Sequence, residues 1–357
     1  MSGNIQNLEA ISLKISEIKD AIRICMDSKQ PVMLWGPPGV GKSDAIRQIG
    51  EEQKRPVIDL RLSLLNPVDI RGVPVAIDGI TRWWAPGFLP RSGEESENSI
   101  LFLDEVNLAS QAVQSATYQL VLDRKVGEYV LPIGVDIIAA GNRGTDHANV
   151  FGMSSALRNR FIHYEVIPDL DEWKDWALKN GIRMEIVAYL NNKPTHLFFF
   201  DPKAHIRQFP TPRSWVFASR ILDRLPSTDS AAKLLSGALG SGVATEFAGF
   251  LRVIDKIPSA EAVVAHGDMS IKAPSKAHEL YAFSGALVGV AIRHKDHMKA
   301  GRNLAKYCAV GLPPEFAILT GKDYARSNVF GEIYNKLIIS EEWEKFSEKY
   351  GEHIVEV

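Results

Sequence analysis

With 357 residues, 45% of them apolar and 24% charged, the chain has the bulk for two or three domains and a buried core. Its net charge of −2 supplies no basic field to draw nucleic acid or acidic lipid. Two cysteines far apart, Cys25 and Cys308, exclude a disulfide framework and suit a reducing, cytoplasmic setting as two small buried apolar residues.

The first residues, Met1-Ser2-Gly3-Asn4, lack the basic and apolar regions of a signal peptide. The longest apolar stretch, Phe283 to Ile292, falls far below the ~20 residues of a membrane span. Ile11, Ile15, Ile18, Ile22 and Cys25 recur at helical spacing and predict one amphipathic helix over 8–28. Pro31 to Trp35 reads as a short buried strand and Asp44 to Gln53 as a helix. Between them stands Gly36-Pro37-Pro38-Gly39-Val40-Gly41-Lys42-Ser43, which fits the phosphate-binding pattern G-x-x-x-x-G-K-[ST]. The glycines permit a tight turn that aims successive N–H groups at phosphate oxygens. Lys42 supplies a point charge for the outer phosphates, the Ser43 hydroxyl a ligand for Mg²⁺, and the helix start a positive end. Pro56 to Leu60 reads as a second strand.

Asn66-Pro67 and Arg71-Gly72 punctuate residues 66–90, and Asp78-Gly79 predicts a hairpin turn between Val73–Ile77 and Ile80–Trp84. Alternation there buries one of Trp83 and Trp84 and exposes the other, packed on their own domain or touching a partner. After a polar loop, Ile100 to Leu103 runs into Asp104-Glu105, the signature of a buried parallel strand carrying carboxylates at its C-terminal end. Ligands of open α/β sheets bind at that edge. Asp104 is placed to hold Mg²⁺, directly or through water, and Glu105 to activate a water for attack on a γ-phosphate. Ala109 to Asp123 reads as a helix, with strand-like runs at Lys125–Leu131 and Val135–Ala140. The latter ends in Ala140-Gly141-Asn142-Arg143, which places the neutral amide of Asn142 to orient the water or sense the γ-phosphate. Ser154 to Phe161 reads as a short helix with two arginines, Arg158 and Arg160, before a fifth strand at Ile162–Val166.

From Pro168 onward helices dominate: 171–179, 183–190, 214–225, 230–239, 245–256, 276–295, 297–310, 314–320 and 341–350. Thr211 is placed to cap the third of these, with Pro212 in its first turn. Arg213 then projects where the helix dipole disfavours a cation, which hints at an anionic partner. The nine histidines form no set that completes a metal site.

The order of these motifs resembles that of AAA+ ATPases. The phosphate loop resembles Walker A and Asp104-Glu105 Walker B. Asn142 resembles sensor 1, Arg160 (with Arg158 as the other candidate) the arginine finger, and Arg213 sensor 2. The wording at Asn66–Gly72, Trp84–Gly87, Asp104–Asn107, Ala140–Asn142, Arg158–Phe161 and Pro212–Ser214 resembles the MoxR-type branch. The resemblance implies an α/β fold: a P-loop αβα core with a five-stranded parallel sheet, followed by a helical lid. On this reading, residues 1–166 form the core with hairpin inserts near 66–90 and 124–135. Residues 167–255 form the linker and lid, and 256–357 a C-terminal helical extension. It further implies ATP and Mg²⁺ as cofactors, hydrolysis in a hexameric ring, and a von Willebrand A domain partner with a protein client. McrB-type GTPases of nucleic-acid-directed defence systems are close relatives of that branch. Their sensor wording, near Asn-Thr-Ala-Asp-Arg, differs from Ala140-Gly141-Asn142-Arg143.

Overall fold

The computed structural model describes residues 11–143, 153–200, 208–225 and 230–353, and divides into two compact units at Pro168/Asp169. The first unit opens with β1 (Ile11–Leu13), α1 (Ile15–Asp27), β2 (Val32–Trp35), α2 (Lys42–Gln53) and β3 (Val57–Arg61). A short helix α3 (Pro67–Arg71) leads into the hairpin β4 (Val73–Ile77) and β5 (Ile80–Trp84). Then come β6 (Ile100–Asp104), α4 (Gln111–Asp123), a second hairpin of β7 (Lys125–Val126) and β8 (Tyr129–Val130), β9 (Asp136–Gly141), α5 (Ser155–Arg158) and β10 (Ile162–Val166).

Six strands make one parallel sheet in the order β1-β10-β2-β9-β6-β3. Its central strands read as unbroken apolar runs because both faces are covered. Alternate residues serve different cores. Val32, Leu34, Ile100, Phe102, Ile138 and Ala140 pack with Ile18, Ile22, Ile46 and Ile49 of α1 and α2. Met33, Leu101, Leu103, Ile137 and Ala139 pack with Val113, Ala116 and Leu120 of α4.

The sheet corrects the expectation of five strands and of one helix over 8–28. Ile11–Leu13 pairs in parallel with Tyr164–Val166 as a sixth, edge strand, and Ile11 is exposed. Its match to the helical spacing is incidental. The helix starts at Ile15, where the Lys14 N–H donates to the Glu17 carboxylate at 2.8 Å, the N3 half of a capping box. The sequence reading also passed over α3. Asn66 caps it, Pro67 takes its first turn, and the Asn66 N–H donates to Asp69 at 2.7 Å.

The first hairpin has the predicted register. Val73 faces Trp84 and Ile77 faces Ile80, and Asp78 and Gly79 carry the positive φ (53° and 74°) of a type I′ turn. Neither tryptophan is buried, contrary to the expectation from alternation: Trp83 is 39% and Trp84 62% exposed. A two-stranded ribbon offers no second layer to pack against. Trp83 leans on Gly127 in the second hairpin, and Arg82 pairs with Glu128 at 3.2 Å.

The second unit contains α6 (Leu170–Lys179), α7 (Met184–Asn192), α8 (Pro212–Leu222), α9 (Ala231–Leu239), α10 (Ser241–Ile254), α11 (Ala260–Val264), α12 (Ala277–Arg293), α13 (His297–Val310), α14 (Pro314–Ala325), α15 (Asn328–Leu337) and α16 (Glu341–Tyr350). One core gathers Trp215, Tyr189 and Phe247, and the other Phe283, Tyr307 and Tyr324. Short α11 offers too few residues to show a period, whereas α15 was passed over although Phe330, Ile333 and Leu337 recur there at helical spacing and pack into the second of these cores. Both cysteines are free and buried, as expected, and burial pushes the Cys308 thiol up. Among the described residues no helix is long and apolar enough to cross a membrane.

Candidate functional site

The phosphate loop leaves the C-terminal end of β2, between β10 and β9, and turns into α2. Gly41 caps that helix at φ 108°, so Lys42 and Ser43 occupy its first turn. Lys42 is 8% exposed, and its ammonium donates to the carbonyls of Gly36 (2.6 Å) and Pro37 (3.0 Å). The cation is thus held over the loop's own backbone, where an anion entering the turn meets it.

The Ser43 hydroxyl donates to Asp104 Oδ2 at 3.1 Å, joining the start of α2 to the end of β6. Burial pushes the Asp104 carboxyl up from its ordinary value; the Ser43 hydroxyl and the Glu105 N–H, donating at 2.8 Å, oppose that, and Asp59 and Glu105 add like charge. A carboxylate desolvated beside other carboxylates, with a hydroxyl on one oxygen, favours a hard divalent cation. Mg²⁺ takes one or two protein oxygens and fills its other positions with water and phosphate, which Ser43 and Asp104 fit.

Glu105 follows in the left-handed region at φ 58°, which stops the strand and turns its side chain aside. The Ser63 hydroxyl, beyond the end of β3, donates to the Glu105 carboxylate. The chain then makes a single tight turn, Val106–Leu108. This turn carries the buried Asn107 back against the end of β9, where it holds the backbone of Asn142. Arg143, one residue on, pairs with Glu165 of β10 at 2.7 Å.

Lys42, Ser43, Asp104, Glu105 and Asn142 therefore gather at one edge of the sheet. Arg158 and Arg160 do not join them. Both are exposed and precede β10, whose Ile162 pairs with Val32 at the start of β2. Arg160 lines a cavity of about 220 Å³ with Lys29, Arg124 and Asp136, the first residue of β9. The four residues of β2 separate this end from the phosphate loop by roughly 13 Å at ~3.3 Å per residue. Arg213 belongs to the second unit, exposed in the first turn of α8. Its helix is capped as the sequence indicates: the Ser214 N–H donates to Thr211 at 3.0 Å, and the Thr211 N–H to Ser214 at 2.8 Å.

The sequence reading missed Ser63 and Asn107. Asn107 lies two residues beyond Glu105 inside a motif already singled out, so its position carried a signal, though its role did not. Ser63 carried none, being one hydroxyl in a polar turn.

Residues 31–161 match a family described as the AAA domain of the dynein-related subfamily. Over those residues the chain is thus similar to AAA domains. Midasin of Giardia intestinalis is 28% identical over 173 residues, 46% of this chain and 4% of midasin, so the chain spans only a small part of that relative. Among solved structures, the RuvB Holliday junction branch migration motor of Thermotoga maritima is 16% identical, with a TM-score of 0.37 over 76% of this chain and 80% of that one. NtrX from Brucella abortus in complex with ADP is 15% identical, with a TM-score of 0.35 over 95% of this chain and 68% of that one.

Proposed function

We propose that this chain is an Mg²⁺-dependent ATP-hydrolysing motor of the MoxR type that works as a ring and remodels a protein client beside a von Willebrand A domain partner. The observation that carries the ATPase reading is the convergence of Lys42, Ser43, Asp104 and Glu105 at the mouth of the phosphate loop. Loop N–H groups and Lys42 hold the outer phosphates of ATP, and Ser43 and Asp104 hold Mg²⁺. The ion, when bound, neutralises phosphate charge and fixes the phosphoryl group for attack. Glu105 accepts the proton of the attacking water, and Asn142 orients that water from the neighbouring strand end. Arg213 is assigned to sense the nucleotide from the helical lid.

The ring reading is supported by Arg160. It is exposed at the sheet edge opposite its own phosphate loop, out of reach of the nucleotide that loop would hold. A guanidinium placed there serves a neighbouring subunit's phosphoryl group, worth about 10³-fold or more in turnover.

Mixing two inactive variants tests this. Arg160→Ala and Glu105→Gln should each bind ATP and lose about 10³-fold in turnover. Together they should recover part of the activity, since a Glu105→Gln subunit lends its arginine to the intact site of an Arg160→Ala neighbour. Turnover in the wild type should rise with protein concentration as mass increases. Equal turnover by dilute monomer, or no recovery in mixed assemblies of proven mass, rejects the shared site.

A further inference from the structure

We propose that Asn107 is a positioning residue that sets the distance between the hydrolytic carboxylate and Asn142 by acting as a false strand at the end of β9; this rests on the ATPase reading above. The pairing of β6 with β9 ends at Leu103–Ala139, whereas β2 continues on the other side to Trp35–Gly141. Beyond Ala139 the β6 side of β9 has lost its neighbour, because Glu105 turns the chain away. The Asn107 carboxamide takes over there. Its Nδ2 donates to the Asn142 carbonyl at 2.6 Å and its Oδ1 accepts from the Asn142 N–H at 3.1 Å, the two-point pattern a strand backbone would supply.

Two further facts show that the contact is built in. Asn107 is 5% exposed, so its amide has no water to fall back on, and both of its polar atoms are used on one residue. Gly141 is the site of closest approach: a Cβ there would lie 2.6 Å from Asn107 Oδ1 and 2.8 Å from Met33 Cε. Only a residue without a side chain lets the carboxamide reach Asn142. Glu105 and Asn107 sit on the same tight turn, so any shift of that turn moves catalytic base and sensor together. The clamp therefore fixes their separation, and the hydrogen bonds of its carboxamide go to Asn142 rather than to the loop that would hold nucleotide.

The test is steady-state ATP hydrolysis and direct ATP affinity for the full chain and four variants: Asn142→Ala, Asn107→Ala, Gly141→Ala, and Asn107→Ala with Gly141→Ala. Asn142→Ala sets the ceiling and should lower kcat. Asn107→Ala should lower kcat by about 10- to 100-fold, no further than Asn142→Ala, with ATP affinity held within about 2-fold; a misplacement of ~1 Å has effects of this order. Gly141→Ala keeps every hydrogen-bonding group yet pushes the carboxamide away, so it should show the same selective loss of kcat and remains informative should Asn107→Ala fold poorly. The double variant should match Asn107→Ala within about 2-fold, because the added methyl then meets only the flexible end of Met33, which can turn aside. Wild-type kcat in Asn107→Ala or Gly141→Ala, an equal loss of affinity, or multiplying effects in the double variant overturns the proposal. Should Asn142→Ala itself hydrolyse normally, the role of Asn142 falls and the clamp's catalytic meaning falls with it. Normal loss there with unchanged Asn107 and Gly141 variants condemns the clamp alone.

Discussion

Two acidic side chains sit at opposite ends of the same parallel sheet and are treated in opposite ways. Asp136, at the start of β9, is 4% exposed and has cations of its own: Lys29 donates to it at 3.1 Å, and Arg55 Nη2 lies 2.7 Å away. Asp104, at the end of β6, has a hydroxyl and a backbone N–H for partners, with Asp59 and Glu105 adding like charge nearby. The chain neutralises the first from within and leaves the second short of positive charge. A half-buried carboxylate with no cation among its described hydrogen-bond partners costs stability. That cost at the phosphate-loop edge is what a cation bound there would relieve, whereas Asp136 fastens β9 to Lys29 and Arg55.

Breaking charge at one place after another sharpens the contrast, and the largest loss belongs to the helical unit. There Asp323 is 2% exposed and accepts from Lys174 at 3.2 Å and Asn191 at 2.7 Å, with Arg326 at 3.4 Å. Asp323→Ala leaves two nearly buried cations short of a partner and should cost about 4 kcal/mol in urea unfolding. A loss below ~1 kcal/mol would mean that Asp171 and Asp175, which also face this cluster, suffice for both cations.

Asp136→Ala comes next, at about 3 kcal/mol, the low end for a broken buried pair because Lys29 is half exposed and can rehydrate. Its turnover per folded molecule should stay at the wild-type level. A selective loss of turnover at unchanged stability would erase the distinction between the two carboxylates.

Asp104→Asn gives the smallest effect on stability and one of opposite sign. Burial raises the Asp104 value in the folded state, so that state holds the proton more tightly than the unfolded chain does. The group's favourable contribution is complete below the ordinary carboxylate range and is lost as pH rises through the raised value. The neutral amide avoids that loss, and the Ser43 hydroxyl can turn to accept from it. Thermal melts without nucleotide or Mg²⁺ should therefore show Asp104→Asn melting above wild type at pH 7, with the gap closing toward pH ~4. A variant that melts lower at pH 7 would place Asp104 with Asp136 as a structural acid.

Much of this was legible in the chain because its signals are local. The phosphate loop needs eight consecutive residues. The central strands declare themselves as short apolar runs, and the I′ turn as Asp78-Gly79. The five principal strands and most of the long helices fall close to where spacing places them. The site's Lys42, Ser43, Asp104, Glu105 and Asn142 are read from strand ends, since parallel strands bring their C-terminal ends to one edge. The tertiary structure alone decided what depends on residues remote in sequence. Ile11–Leu13 became a strand because β10 offered it an edge some 150 residues later. Ser63 reaches Glu105 across 42 residues, and Asn107 reaches Asn142 across 35. Whether Trp83 is covered depends on a second hairpin rather than on its own alternation. A hydrogen bond between distant residues leaves no period in the sequence, because both partners are fixed by the path of the backbone rather than by their neighbours. Residue spacing therefore determined the chemistry available to this protein, and the packed sheet decided which side chains hold that chemistry in place.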